Sequence, residues 1–297
     1  MEQKQYILRS MLFVPGNKPE LIQKAVNTKA DAVIIDLEDS VVEKEKDHAR
    51  EIVRSLLGTG IFHNKQIFIR LNDRDSGYLQ KEVEEFTHKD ILGFLYPKVY
   101  DEAELNEFDK LLTEPETKNG FPKDRFKVIP LIETTSAIMN IHSICNASSR
   151  IIAVAFGSED YLSDLCGKHD QPEHAFIFPR SMIANAARST GIIPIDTLNI
   201  DVHDLEKLEN KLYLTRILGF EGSLLLHPKE IEMAHRYYTP TDEEVEQAKK
   251  IIELSKEIDT GNRSVAIVDD MFIGPPLVRS ATKLLKRYEL IQQIKEL

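Results

Sequence analysis

Short apolar runs rich in β-branched residues alternate with longer amphipathic stretches through most of this chain. Eight runs read as strands: "SMLFVP" near 10, "DAVIIDL" near 31, "QIFIRL" near 66, "ILGFLYPKV" near 91, "FKVIPLIE" near 126, "RIIAVAFG" near 150, "GIIPID" near 191 and "GSLLLHP" near 222. Between them, apolar positions at helical spacing predict helices over Glu20 to Thr28, Lys44 to Leu57, Asp101 to Leu112, Ser136 to Ala147, Arg180 to Thr190 and His203 to Leu218. Strands that are apolar on both faces and separated by helices imply a parallel sheet covered by helices. Eight such units in roughly 230 residues fit a closed (β/α)8 TIM barrel, for which about 250 is typical. A doubly wound open sheet is the alternative, and no GxGxxG turn supports it.

The pattern changes after Tyr238. "TPTDEEVEQAKKIIELSKEI" sets Thr241 and Glu244 at capping-box spacing, then Val245, Ala248 and Ile252 on one helical face. A short segment "SVAIVDDMFIGPP" follows, and then a closing helix striped by Leu277, Ala281, Leu284, Tyr288 and Ile291. The expected division is a catalytic barrel over 1–238 and a helical arm over 239–297, the arm packing on its own barrel or on a neighbouring subunit. The polar stretch "TEPETKNGFPKD" between 113 and 124 reads as an exposed loop.

Charge narrows the partners. The formal net charge is −11 and no Lys/Arg-rich block appears, which argues against nucleic acid and anionic membrane as ligands. The two cysteines, Cys145 and Cys166, are too far apart for a CxxC motif and suit a reducing compartment. With no long apolar run, a soluble cytoplasmic protein is expected.

In a barrel of this kind chemistry gathers at the C-terminal ends of the strands. Those ends carry Pro15-Gly16-Asn17, Asp36/Glu38/Asp39, Arg70/Asn72, Lys98, Glu133, Glu159/Asp160, Asp196 and His227. Several have a structural reading as well: Asp39 or Ser40 as a cap for the next helix, Lys98 as a turn residue, His227 as a core or loop histidine. Glu133 is sharper, because it directly follows an apolar strand where an unpaired charge is expensive. Glu159 and Asp160 follow the next strand, close enough to converge with Glu133 on one ion. Oxygen ligands without His or Cys at metal spacing favour Mg²⁺, with open positions left for substrate. His169 and His174 read as loop residues rather than ligands. Arg70 is the natural receptor for a carboxylate, and Mg²⁺ beside Arg describes a site for an α-keto or α-hydroxy acid.

The stretches "RSMLFVPGNKPELIQKA", "ADAVIIDLEDSV", "IRLN", "YPKV", "PLIET", "AFGSEDY" and "GFEGSLLLHPKEIEMAH" together resemble the citrate lyase β-subunit-like branch of the HpcH/HpaI aldolase superfamily. The resemblance implies a Mg²⁺-dependent carbon–carbon lyase that cleaves or forms a 3-hydroxy-acid CoA thioester of the citryl-CoA, malyl-CoA or citramalyl-CoA type, giving a keto acid and an acyl-CoA. It implies Glu133 and Asp160 as metal ligands, Arg70 as holder of the keto-acid part, and Asp36 and Glu38 as acids beside the metal and its waters. Phe13, Lys18 and Lys24 fall where relatives contact CoA. The resemblance and the arm together suggest a homo-oligomer, a trimer or a multiple of one. Relatives carry a late segment "DGRMIDAP" whose second Asp serves as acid/base; here Gly274 takes that position, with Asp269 and Asp270 a few residues before it. That departure keeps two other readings in view: a Mg²⁺ aldolase on free keto or hydroxy acids without CoA, and a catalytically impaired subunit that needs partners.

Overall fold

The computed structural model describes residues 6–170, 173–260, 266–268 and 271–295. Eight parallel strands close into a barrel in sequence order: β1 (Ser10–Pro15), β2 (Ala32–Asp36), β3 (Gln66–Arg70), β4 (Gly93–Tyr96), β5 (Lys127–Ile132), β6 (Ala153–Phe156), β7 (Ile193–Asp196) and β8 (Gly222–Leu225), with β8 pairing back onto β1. All eight expected strands are present. The physical reason is burial: β2, β4, β6 and β8 are buried at every position, between the barrel interior and the surrounding helices.

Helices cover the barrel: α1 (Pro19–Val26), α2 (Lys46–Leu56), α3 (Leu79–Phe86), α4 (Glu102–Lys118), α5 (Thr135–Met139), α6 (Ile141–Asn146), α7 (Ser158–Asp164), α8 (His174–Thr190) and α9 (Leu205–Leu218), followed by α10 (Ile231–Tyr238). Three of these, α3, α7 and α10, fall outside the segments where periodicity predicts helix; each is short, about two turns, too short to register a sustained 3.6 repeat. The single helix expected over Ser136 to Ala147 breaks at Asn140, whose side chain instead donates to the Tyr100 carbonyl. The helix expected from Arg180 begins earlier, at His174, and runs through Pro179.

The loop expected over 113–124 is a correction: α4 continues to Lys118 with Pro115 inside it. Arg150, fully buried, holds Glu116 at 2.8 and 2.7 Å, and that anchor keeps the last turn helical despite the proline.

The chain forms two compact units, Leu8–His235 and a second made of Met1–Ile7 with Arg236–Leu297. In the second, α11 (Asp242–Thr260) and α12 (Pro275–Lys295) pack together around Ala248, Ile251, Ile273 and Ala281. Thr241 and Glu244 form the expected reciprocal cap of α11. Between the two helices the backbone makes a small antiparallel pair, β9 (Ala266–Val268) with β10 (Met271–Ile273). Gly274 then starts α12, its carbonyl accepting from the Leu277 and Val278 amides. Asp269 and Asp270 lie outside the described residues. No helix among those described is long and apolar enough to cross a membrane.

Candidate active site

The register of four strands assembles the centre of the acidic rim. Pro15, Asp36, Arg70 and Leu95 stand in line at the C-terminal ends of β1 to β4, so Asp36 and Arg70 are direct neighbours on adjacent strands. The Arg70 fork closes on Asp36, with Nε and Nη2 each 2.7 Å from a carboxylate oxygen. Nη1 reaches Glu38 at 2.9 Å and Asp39 at 3.1 Å. The Phe13 ring lies under the same guanidinium, 5.0 Å from its carbon, so the arginine is stacked as well as ion-paired. Arg70 is therefore already turned to internal acids, and of these only Asp39 is exposed.

Asp36 is fixed further by the backbone of its own turn, accepting from the Glu38 and Ser40 amides. Burial would raise its carboxyl, but the Arg70 charge and hydrogen bonds outweigh that and hold it below the usual carboxylate range. The helix-cap reading of Asp39 and Ser40 is overturned: α2 begins after Glu45 with no side-chain cap, because Asp39 turns to Arg70 and Ser40 to Asp36.

Beneath this turn lies a buried polar lattice. Lys46 donates to the carbonyls of Leu37 and Glu38 and to Asn72, while Asn72 donates to Leu37 and Glu82, and Arg50 pairs with Glu82. Each member satisfies another, which is what makes such a lattice rigid rather than costly.

Glu133 stands at the end of β5 and is almost wholly buried. One oxygen accepts the Lys98 backbone amide at 2.6 Å. The other faces Gly157: a Cβ there would come within 2.7 Å of Oε2 and 2.8 Å of the Glu133 Cβ, so the cradle exists only because residue 157 lacks a side chain. Burial, with the charges of Glu38 and Asp160 added, pushes Glu133 up to about 8. Burial likewise pushes Glu38 up to about 7, against the pull of Arg70 and Lys98. Asp160 follows on the first turn of α7 and is exposed.

Acids held together against their own repulsion favour holding either a proton or a cation between them. Among the described residues, no group of three or more His, Cys, Asp or Glu side chains forms a metal cage. A pair of carboxylate donors suits a hard divalent ion that keeps positions open for water and substrate, so the residues present fit Mg²⁺.

Lys98 is the participant to which strand-end reading assigns no role. Its ammonium lies 2.8 Å from Glu38 and 3.6 Å from Asp73. Its sequence signals are its place two residues after β4 and its position within "YPKV".

Other expected residues are placed differently. Lys18 begins α1 at the rim, whereas Lys24 lies in the last turn, roughly 9 Å further along the helix axis. Both are exposed, and neither belongs to the ion-pair chain that links Asp36, Arg70, Glu38 and Lys98. Asp196 is engaged by buried Arg180 at 2.9 Å, and His227 caps a turn together with Glu230, so these two strand ends have structural employment. His169 reaches Glu159 at 3.0 Å, while His174 opens α8 and pairs with Asp170.

An acidic, cation-ready rim on a (β/α)8 barrel defines a class, and the comparisons identify it. The chain belongs to the HpcH/HpaI aldolase/citrate lyase family, whose model matches residues 9–228. Its members are carbon–carbon lyases, and this chain is an enzyme of that kind. It is 31% identical to the citrate lyase subunit beta of Leuconostoc mesenteroides subsp. cremoris, covering 94% of this chain and 92% of that one. It is 27% identical to a (3S)-malyl-CoA thioesterase of Cereibacter sphaeroides, covering 98% of each. Protein CitE of Mycobacterium tuberculosis, solved in complex with magnesium, acetoacetate and coenzyme A, shares the fold at a TM-score of 0.76 and 24% identity, over 94% of this chain and 97% of that one.

Proposed function

We propose that this protein is a Mg²⁺-dependent lyase that cleaves, or forms in reverse, a 3-hydroxy-acid CoA thioester of the citryl-CoA, malyl-CoA or citramalyl-CoA type. The observation that carries the reading is Glu133, a carboxylate raised first by its burial and then by two neighbouring acids, and left with one oxygen facing the Gly157 gap. Magnesium and coenzyme A in the structure of the fold relative support the choice of ion and substrate class.

Glu133 and Asp160 hold the ion, which supplies Lewis-acid polarisation of the substrate's oxygen when bound. Arg70 receives the carboxylate of the keto-acid half. Since Asp39 is its exposed partner, that substrate carboxylate takes the place of Asp39 while Asp36 keeps the guanidinium in plane. Phe13 supports the arginine from below and Lys18, at the rim, meets the anionic CoA arm.

In the cleavage direction the substrate hydroxyl loses its proton and becomes the carbonyl of the departing oxo acid. The carbon–carbon electron pair passes to the thioester enolate, which takes up a proton to give the acyl-CoA. Positioning by Arg70 and electrostatic stabilisation carry most of the acceleration.

A second reading, a Mg²⁺ aldolase on free hydroxy acids, is favoured by one observation: Gly274 carries no carboxylate and its carbonyl caps α12. The deciding experiment incubates the protein and Mg²⁺ with citramalyl-, malyl- and citryl-CoA and with the free acids, following keto acid, acyl-CoA and free CoA. Keto-acid release from a thioester, abolished by excess EDTA, supports the leading reading. Release from free acids alone overturns it in favour of the second, free CoA without keto acid would make the protein a thioesterase, and full turnover in EDTA removes the metal.

A further inference from the structure

Among the described residues, Lys98 touches both Glu38 and Glu133, one on each side of the acidic rim. It sits just beyond β4, between Glu38 after β2 and Glu133 after β5. Its backbone has φ +48°, in the left-handed region that favours glycine. That conformation aims the Lys98 amide at Glu133 Oε1, while the side chain runs the other way to Glu38 and Asp73.

A glycine would take this backbone shape without strain. A lysine held there carries a backbone cost that its contacts must offset, and non-glycine strain of this sort collects where structure serves function. The two contacts are also of different kinds. The amide fixes an oxygen of Glu133 whatever the side chain is, whereas the ammonium fixes the Glu38 carboxylate, whose other cationic partner among the described residues is Arg70.

We propose that Lys98 is a positioning residue for the lyase reaction with two separable parts: its left-handed amide sets the Glu133 carboxylate for the divalent ion, and its ammonium sets Glu38 beside Arg70 for turnover. The first part serves cation binding and the second serves the chemical step. Because the left-handed backbone, not the charge, serves the ion, cation affinity follows the backbone preference of residue 98, and kcat follows its charge.

The inference rests on the reading of Glu133 and Asp160 as the divalent-ion site. Cation binding by the unaltered protein tests that reading, and differences among variants test this one. Three variants separate the parts: Lys98→Gly keeps the amide and relaxes the strain, Lys98→Val keeps the amide but disfavours a left-handed backbone through its branched side chain, and Lys98→Arg restores the charge. Mg²⁺ binding is read by calorimetry and turnover by keto-acid release.

Lys98→Gly is expected to bind Mg²⁺ within about threefold of the unaltered protein, with kcat down at least about tenfold. Lys98→Val is expected to lose at least about tenfold in Mg²⁺ affinity as well as the turnover. Lys98→Arg is expected to recover kcat relative to Lys98→Gly. Equal Mg²⁺ affinity in the glycine and valine variants, with both folded by circular dichroism, overturns the backbone part. Unchanged kcat in Lys98→Gly overturns the charge part, and so does failure of arginine to improve on glycine.

Discussion

Arg70 and Asp36 face each other on adjacent strands and join through both ends of the guanidinium fork, with each contact 2.7 Å long and Asp36 almost wholly buried. A planar fork matched to a carboxylate is a geometry that lysine cannot reproduce. The pair thus holds the plane of the arginine fixed at the rim.

Arg70→Lys is expected to lower kcat/KM roughly 100-fold, about 2.7 kcal/mol of transition-state stabilisation. Steady-state kinetics with the active thioester check this, and wild-type values would remove Arg70 from the site. Asp36→Ala leaves the buried guanidinium without its main partner and should cost about 3–5 kcal/mol of stability, read by denaturant unfolding.

Gly157→Ala tests the cradle around Glu133. The new methyl would stand 2.7 Å from Oε2, with nowhere to go because the Glu133 Cβ is 2.8 Å away on the same side. Glu133 must rotate off its Lys98 amide, so Mg²⁺ affinity should fall at least about tenfold. Calorimetric binding equal to that of the unaltered protein would show that the gap has no role.

Asp31 tests pH linkage at the opposite end of the barrel. Burial would raise its carboxyl, but hydrogen bonds from Arg9 and His235 outweigh burial and bring it from 3.8 down to about 2. A folded value below the unfolded one means that this stabilisation is fully present above about 3.8 and is lost as pH falls through about 2. Asp31→Asn should therefore remove roughly 2 kcal/mol near pH 6 and flatten the dependence of Tm on pH between 4 and 2. A variant with an unchanged acid limb would contradict the assignment.

Glu116→Ala probes the anchor that keeps the end of α4 helical. It leaves Arg150 buried with only the half-exposed acids Asp109 and Asp124 to face. A loss of about 3–5 kcal/mol is expected, with kcat unchanged because the residue lies beside the N-terminal end of β5 rather than at the rim. A fall in kcat at temperatures where the variant is fully folded would disprove that separation.

How far the chain is readable before folding depends on which features are local. Strand after strand, from "DAVIIDL" to "GSLLLHP", runs of apolar residues long enough to be buried on both faces mark a parallel barrel. The residue that ends each run must then stand at one rim, since all strands point the same way. Asp36, Arg70, Glu133 and Asp160 are legible for that reason. Short helices such as α3 and α7 and the helical end of α4 are not, because their signal is only a turn or two long or is contradicted by Pro115, and distant partners such as Arg150 decide them.

The sequence by itself determined the order of strands, the closed parallel architecture and the roster of charged groups at the C-terminal rim, all of which follow from local periodicity and chain direction. Only the tertiary structure decided who pairs with whom: that Arg70 is forked on Asp36, that Asp39 turns to Arg70 instead of capping α2, and that Lys98 joins Glu38 to Glu133 through a left-handed backbone. Those partners lie 31 to 60 residues apart along the chain, and the register between neighbouring strands, to which no single segment is sensitive, brings them within hydrogen-bond reach.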